Sequence, residues 1–249
     1  MKLFIIRHGA PNYAKDTLTE QGWREQELLT PFLVAKKPDV VCLSSLGRAQ
    51  DTATGLLRET GIRPLVFPWL CEFDARLPEP FADRCPWHLN PMDWSKNPAW
   101  LGPDWQEDPL FRDSEFLRTY QADAASLDAF LAEHGYHREG RFYRVSEEFF
   151  DTNETIMMFC HLGRGQVLLS HLLSMPWMQI HYFWLPTSSI TEVIFERSPF
   201  DRSLALARCA TVGSVPHLDA AGVARCNSGF MMPIDGYTRE FDRPADLSQ

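Results

Sequence analysis

Apolar positions in the N-terminal part of this chain alternate between short unbroken runs and helical stripes. Leu3 to Ile6 is one such run, closed by Arg7-His8-Gly9, a polar break suited to the C-terminal end of a buried strand. Thr17-x-x-Glu20 has the spacing of a capping box, and Glu25, Leu28, Leu29, Phe32 and Leu33 follow in a mostly helical rhythm. Pro38 precedes Val40-Val41-Cys42-Leu43, a second buried strand that ends at Ser44-Ser45. Ala49, Ala53, Leu56 and Leu57 recur at i, i+4, i+7 and i+8 and predict a second helix stopping at Gly61. Leu65 to Leu70 reads as a third strand, weakened by Pro68.

Strand–helix alternation implies crossover connections, hence an α/β fold: three layers, α/β/α, around a mainly parallel sheet. The rhythm then changes. Residues 74–112 carry seven of the 18 prolines and four of the eight tryptophans (Trp87, Trp94, Trp100, Trp105), more apolar aromatic surface than a solvated linker keeps. They predict an ordered insertion over the core or a substrate cleft, most of its tryptophans packing and one or two facing substrate. Phe116, Leu117, Tyr120, Ala124, Leu127, Phe130 and Leu131 then form a helical stripe within a segment of about 113–135 that ends near Gly135. Phe142 to Val145 reads as a strand or hairpin arm and Thr155 to Cys160 as a buried strand. Val167 to Leu173 reads as a helix following Gly163-Arg164-Gly165. Ile190 to Phe195 and Leu204 to Ala210 are two further strands, and the tail from Asp219 has no periodicity. Without an internal repeat or a boundary, residues 1–249 read as a single domain with one insertion.

Composition narrows the function classes. With 45% hydrophobic and 23% charged residues in 249, wholesale disorder is excluded. A net charge of −9 argues against nucleic-acid and membrane partners, which need a basic surface. No apolar run approaches the ~20 residues of a membrane span. The four apolar residues before Arg7 fall short of a secretory core of about 7–15, so the chain reads as cytoplasmic. Six cysteines without CxxC spacing read as free thiols, mostly buried. His134-x-x-His137 has metal-like spacing, but Gly135 breaks the helix there, and a surface pair is expected. Gly163-Arg164-Gly165 lacks the spacing and lysine of a nucleotide phosphate loop. No cofactor and no metal are expected.

Candidate chemistry gathers at three strand ends. Arg7-His8-Gly9 closes the first strand, Ser44-Ser45-Leu46-Gly47-Arg48-Ala49 the second, and Cys160-His161-Leu162-Gly163 a late one. Ligands of open α/β sheets bind at the carboxyl ends of strands, so these segments are expected to share one crevice. It would hold two guanidinium forks suited to a phosphoryl group and two imidazoles able to act as nucleophile and donor.

These motifs resemble the histidine phosphatase superfamily, also called phosphoglycerate mutase-like. The resemblance rests on Phe4-Ile5-Ile6-Arg7-His8-Gly9, Leu18-Thr19-Glu20-Gln21-Gly22 and Ser44 to Ala53, then Leu70-Cys71-Glu72-Phe73 and Cys160-His161. Pro186 to Thr191 and Pro216-His217-Leu218 are weaker matches, and residues 74–150 match nothing in the family. The resemblance implies metal-free phosphoryl transfer: His8 as nucleophile, His161 as a donor to phosphoryl oxygens, and Glu72 as general acid, with Asp74 its rival. Arg7, Arg48, His161 and the backbone of Leu162 would bind the phosphate. The implied partner is a small phosphorylated substrate, with no nucleic acid and no membrane; no oligomeric state is read from the sequence. His217 matches a recurring late histidine, for which a structural hydrogen bond is at least as good a reading. Ala10-Pro11 after the first motif, Leu162 between His161 and Gly163, and Asp74 to Pro78 depart from the usual pattern. They leave open a phosphate-monoester phosphatase, a phosphomutase, or a catalytically idle member that binds a phospho-ligand.

Overall fold

The computed structural model describes residues 1–89, 91–229, 236 and 238. Its elements in chain order begin with β1 (Lys2–Arg7), β2 (Pro11–Asn12), β3 (Thr17–Leu18), α1 (Glu20–Val34), β4 (Val40–Ser44), α2 (Gly47–Thr60) and β5 (Leu65–Phe67). After the short helix α3 (Pro91–Ser95) come α4 (Glu115–Glu133), β6 (Tyr136–Glu139), β7 (Phe142–Val145), β8 (Thr155–Cys160) and α5 (Leu162–Leu172). The described chain closes with α6 (Trp177–Ile180), β9 (Ile190–Arg197), β10 (Leu204–Ser214) and α7 (Pro216–Ala221). Most of the tail beyond residue 229 lies outside the described residues.

Eight strands form one sheet in the order β5-β4-β8-β1-β9-β10-β7-β6. The first four pair in parallel and the rest continue antiparallel, so six of eight strands share one direction. Side-chain alternation along the strands builds the layers. Phe4, Ile6, Val41, Leu43, Met157 and Phe159 pack with Leu29, Leu33 and Leu56 of α1 and α2 on one face. Leu3, Ile5, Cys42, Ile156, Met158 and Cys160 pack with residues of α4, α5 and α6 on the other. The three-layer α/β/α expectation holds, on a mixed, mostly parallel sheet.

Local differences have local causes. The α1 cap is Thr19, whose hydroxyl accepts from Gly22 N at 3.1 Å. Thr17 is instead in β3, its hydroxyl donating to Asp51. Pro68 ends β5 after three residues and opens a single 3₁₀ turn. Helix α5 starts five residues before the apolar stripe, because Gly163, Arg164 and Gly165 form its first turn. Between residues 74 and 112, short helical turns bury Trp94, Trp100 and Trp105. Trp105 meets Phe111 and Tyr120 edge-on at 5.5 and 5.3 Å, and Phe116 meets Trp177 at 5.5 Å, which joins the segment to the core. Cys42, Cys160 and Cys226 are buried and the other three cysteines half-buried.

Phe159 is fully buried between the sheet and α2, whereas Phe200 is 97% exposed. Phe159→Ala should therefore lower unfolding free energy by about 3–5 kcal/mol in urea titrations. Phe200→Ser should change it by no more than about 0.5 kcal/mol.

Candidate active site

The connections explain where the site lies. Strands β1 and β4 feed α1 and α2 on one face, while β8, between them, feeds α5 on the other. Chains leaving a sheet in opposite directions open a crevice at the strand ends. Arg7, His8, Arg48, His161 and Leu162 come together there, all buried. The backbone pins them: His8 N donates to Cys160 O at 3.0 Å and Ser188 N to His8 O at 2.9 Å. Gly9 N donates to Thr52 Oγ1 at 2.9 Å. Gly22 must be glycine, because a β-carbon there would overlap the Ala10 carbonyl.

His8 and His161 face one another with ring centroids 5.1 Å apart. His8 Nδ1 lies 2.8 Å from the Gly9 carbonyl oxygen, which can only accept. The proton is therefore on Nδ1, and Nε2 keeps its lone pair. His161 Nε2 is 2.8 Å from Ser44 Oγ, which already accepts from Leu46 N. Ser44 Oγ also donates to Cys71 Sγ at 3.5 Å, so either ring nitrogen of His161 can carry the proton. Burial holds both imidazoles well below their usual pKa, and the charges of Arg7 and Arg48 add to this. Both are neutral near pH 7.

Arg7 donates to the carbonyls of Leu185 and Ser228 at 2.6 and 3.0 Å and to Ser228 Oγ at 3.1 Å. Arg48 pairs with Asp16 at 2.6 Å and lies over the Tyr13 ring. Arg7 Nε, Arg48 Nε and His161 Nδ1 are buried with no partner among the described residues. Each such group costs about 1–3 kcal/mol unless something bonds to it. The arrangement can take an anion beside an imidazole lone pair.

Glu72 follows the 3₁₀ turn after β5. Its Oε1 accepts from Phe73 N at 2.9 Å and from Arg164 N, in the first turn of α5, at 3.0 Å. Oε1 is thus occupied by donors, and a proton on this carboxyl must sit on Oε2. Burial raises the Glu72 pKa, opposed by those two amides and by Arg7 and Arg48. Asp74 is exposed and has no such setting. His217 Nε2 is 3.0 Å from Ser188 Oγ, and Ser188 N in turn donates to His8 O. His134 and His137 bind separate partners, Glu154 at 2.7 Å and Ser146 at 3.1 Å. Among the described residues no group of three metal-ligating side chains forms, and no helix is long and apolar enough to cross a membrane.

Several contributors carry no sequence signal of their own. Buried Glu25 accepts from Ala10 N at 2.9 Å and Thr187 Oγ1 at 3.1 Å, tying the first motif to the 186–189 loop. In the sequence it is one more position in a helical stripe. Ser228 comes from the aperiodic tail. Arg164, within the discarded Gly-Arg-Gly segment, holds Cys71 O at 2.8 Å and pairs with Asp123 of α4. Thr52 was visible as part of the motif after Ser44.

The chain belongs to the histidine phosphatase superfamily (branch 1), whose family model matches residues 3–204. No curated protein is significantly similar to it in sequence. Among solved structures it is similar to a phosphoserine phosphatase mutant from Entamoeba histolytica in complex with phosphoserine. That pair has 20% identity and a TM-score of 0.57, over 87% of this chain and 98% of that one. A mycobacterial glucosyl-3-phosphoglycerate phosphatase gives 21% identity and a TM-score of 0.56, over 86% and 98%. The alpha-ribazole phosphatase of Shigella flexneri gives 19% and 0.54, over 86% and 97%. At these identities the likeness establishes the fold.

Burial lowers the His217 pKa from 6.5 to about 4. The folded state then loses this contribution as pH falls from 6.5 to about 4, where only the unfolded imidazole takes up a proton. Replacing it by His217→Gln should raise stability relative to wild type by about 3 kcal/mol between pH 7 and pH 4. Denaturation at a series of pH values measures this; a constant difference would contradict it.

Proposed function

We propose that this protein is a metal-independent phosphatase that hydrolyses phosphate monoesters through a phosphohistidine on His8. The observation that carries the reading is the trio of buried nitrogens on Arg7, Arg48 and His161, without partners among the described residues, beside the His8 lone pair. Family membership and phosphatases of the same fold support it.

In this reading His8 Nε2 attacks phosphorus in line with the ester oxygen. The P–O bond breaks as the N–P bond forms, and Glu72 Oε2 gives its proton to the departing alkoxide. Arg7, Arg48, His161 and the Leu162 amide meet the phosphoryl charge from fixed positions, where most of the catalysis must come from. Glu72, now a carboxylate, takes a proton from water as that water attacks phosphorus. The N–P bond breaks and inorganic phosphate leaves. A soluble cytoplasmic enzyme with a small phosphorylated substrate and no cofactor fits this chemistry.

Phosphate release from 4-nitrophenyl phosphate tests it. His8→Ala should lose at least about a thousandfold in kcat and Arg48→Ala about a hundredfold, with chelator leaving wild type unchanged. Undiminished His8→Ala activity, or loss of wild-type activity on chelation, sinks the mechanism. Glu72→Gln should slow ethyl phosphate far more than 4-nitrophenyl phosphate, whose leaving group needs no proton. Equal slowing would remove Glu72 from the acid role.

A further inference from the structure

The insertion between residues 74 and 112 reaches the site through one side chain. Trp87 sits on the 3₁₀ turn Pro86–His88. His181 Nε2 holds that turn by donating to the Pro86 carbonyl at 2.9 Å. The Trp87 ring lies against the backbone of Gly163, in the first turn of α5, closely enough that a β-carbon on Gly163 would overlap it. The same point lies 3.0 Å from Glu72 Oε1. Trp87 and Glu72 therefore border one spot, and the indole is only partly buried, with ring surface left to contact a ligand.

A leaving group must bring its ester oxygen to the carboxyl of Glu72, so the atoms beyond that oxygen pass along whatever lies next to Glu72. Here that neighbour is an indole. Two of the cations on this side are already engaged. Arg164 pairs with Asp123 and holds the Cys71 carbonyl, and Arg84 pairs with Asp93 at 2.7 Å. Residues 74–112 carry seven Asp and Glu against four Lys and Arg, a local field that repels a second anionic group on the substrate.

We propose that Trp87 is the wall of a leaving-group subsite that selects phosphate monoesters of neutral, apolar alcohols. This rests on the phosphatase reading above and specifies its substrate class. Gly163 is part of the same device, because only a residue without a side chain lets the indole close down beside Glu72.

The test compares kcat/KM for benzyl phosphate, ethyl phosphate and O-phosphoserine, whose alcohols are of comparable basicity, so that proton demand is matched. Wild type should prefer benzyl phosphate over O-phosphoserine by at least about tenfold. Trp87→Ala should cut the benzyl value about tenfold and the ethyl value less than about threefold. Trp87→Leu, which keeps an apolar wall, should retain at least about a third of the benzyl value. Inhibition by inorganic vanadate, which fills the phosphoryl site alone, should stay unchanged in both variants. A wild-type preference for O-phosphoserine, or an equal fall on all three esters, overturns the proposal. Loss of vanadate inhibition in both variants also overturns it, because Trp87 would then be a general structural residue. Wild type that releases phosphate from none of the esters would instead remove the phosphatase reading beneath it.

Discussion

Parallel pairing of β1 with β8, in the register that sets Arg7 opposite Cys160, is the constraint on which the rest of the molecule depends. It places His8 and His161, one residue beyond each strand, side by side at the same edge of the sheet. A slip of one residue would turn β1 over relative to β8, sending Phe4 and Ile6 to the wrong helical layer and the two imidazoles to opposite faces. The core thus enforces the site: the apolar sets on the two faces differ, and only one register satisfies both. Short-range chain geometry then adds the other parts. Strand β4 lies on the far side of β8 and delivers Ser44 and Arg48, while the turn after β5 delivers Glu72.

Three guanidiniums lie buried near these strand ends, each settled differently. Arg164 is neutralised by Asp123, and Arg48 by the half-exposed Asp16. Arg7 has only neutral partners, the Leu185 carbonyl and Ser228. An interior charge held by neutral groups is expensive, and here it adds to burial in keeping both histidines deprotonated. A net charge of −9 over the whole chain says little about such a spot. The acidic balance is spread over the surface, whereas the positive field is concentrated where three strands end. The positive potential in this crevice is therefore a property of a few buried atoms, screened from bulk salt by the surrounding core.

Much of this was legible in the chain because strand ends and turn residues are written locally. Leu3 to Ile6, Val40 to Leu43 and Thr155 to Cys160 are unbroken apolar runs, as strands buried on both faces must be, and each stops at the polar residue that the site uses. Glu72 and Asp74 were both readable as acid candidates, but the difference in their settings, an exposed Asp74 and two amides on Glu72 Oε1, was not. What stayed hidden depends on long-range packing. The start of α5 was obscured because two glycines depress helix propensity, although close approach of other elements is what requires Gly163 to be small. Ser228, Asp16 and Trp87 act through neighbours distant in sequence, and no periodicity marks them. The hairpin strand β6 and the four-residue helix α6 are too short to carry a pattern.

The central position of β1 also shapes how the protein is made. This strand is synthesised before the others of the sheet, yet both of its partners lie beyond residue 154, and Arg7 has a contact as late as Ser228. During synthesis at about 5–20 residues per second, an apolar segment must wait ten seconds or longer, roughly, for the strands that flank it. Until then its two unpaired edges can join with any extended chain. Such a topology makes folding in the cell a late, all-at-once event, dependent on chaperones or on fast burial of β1 against α1 and α2. The contacts of Arg7 reach Ser228, so an unfinished chain lacks part of this crevice.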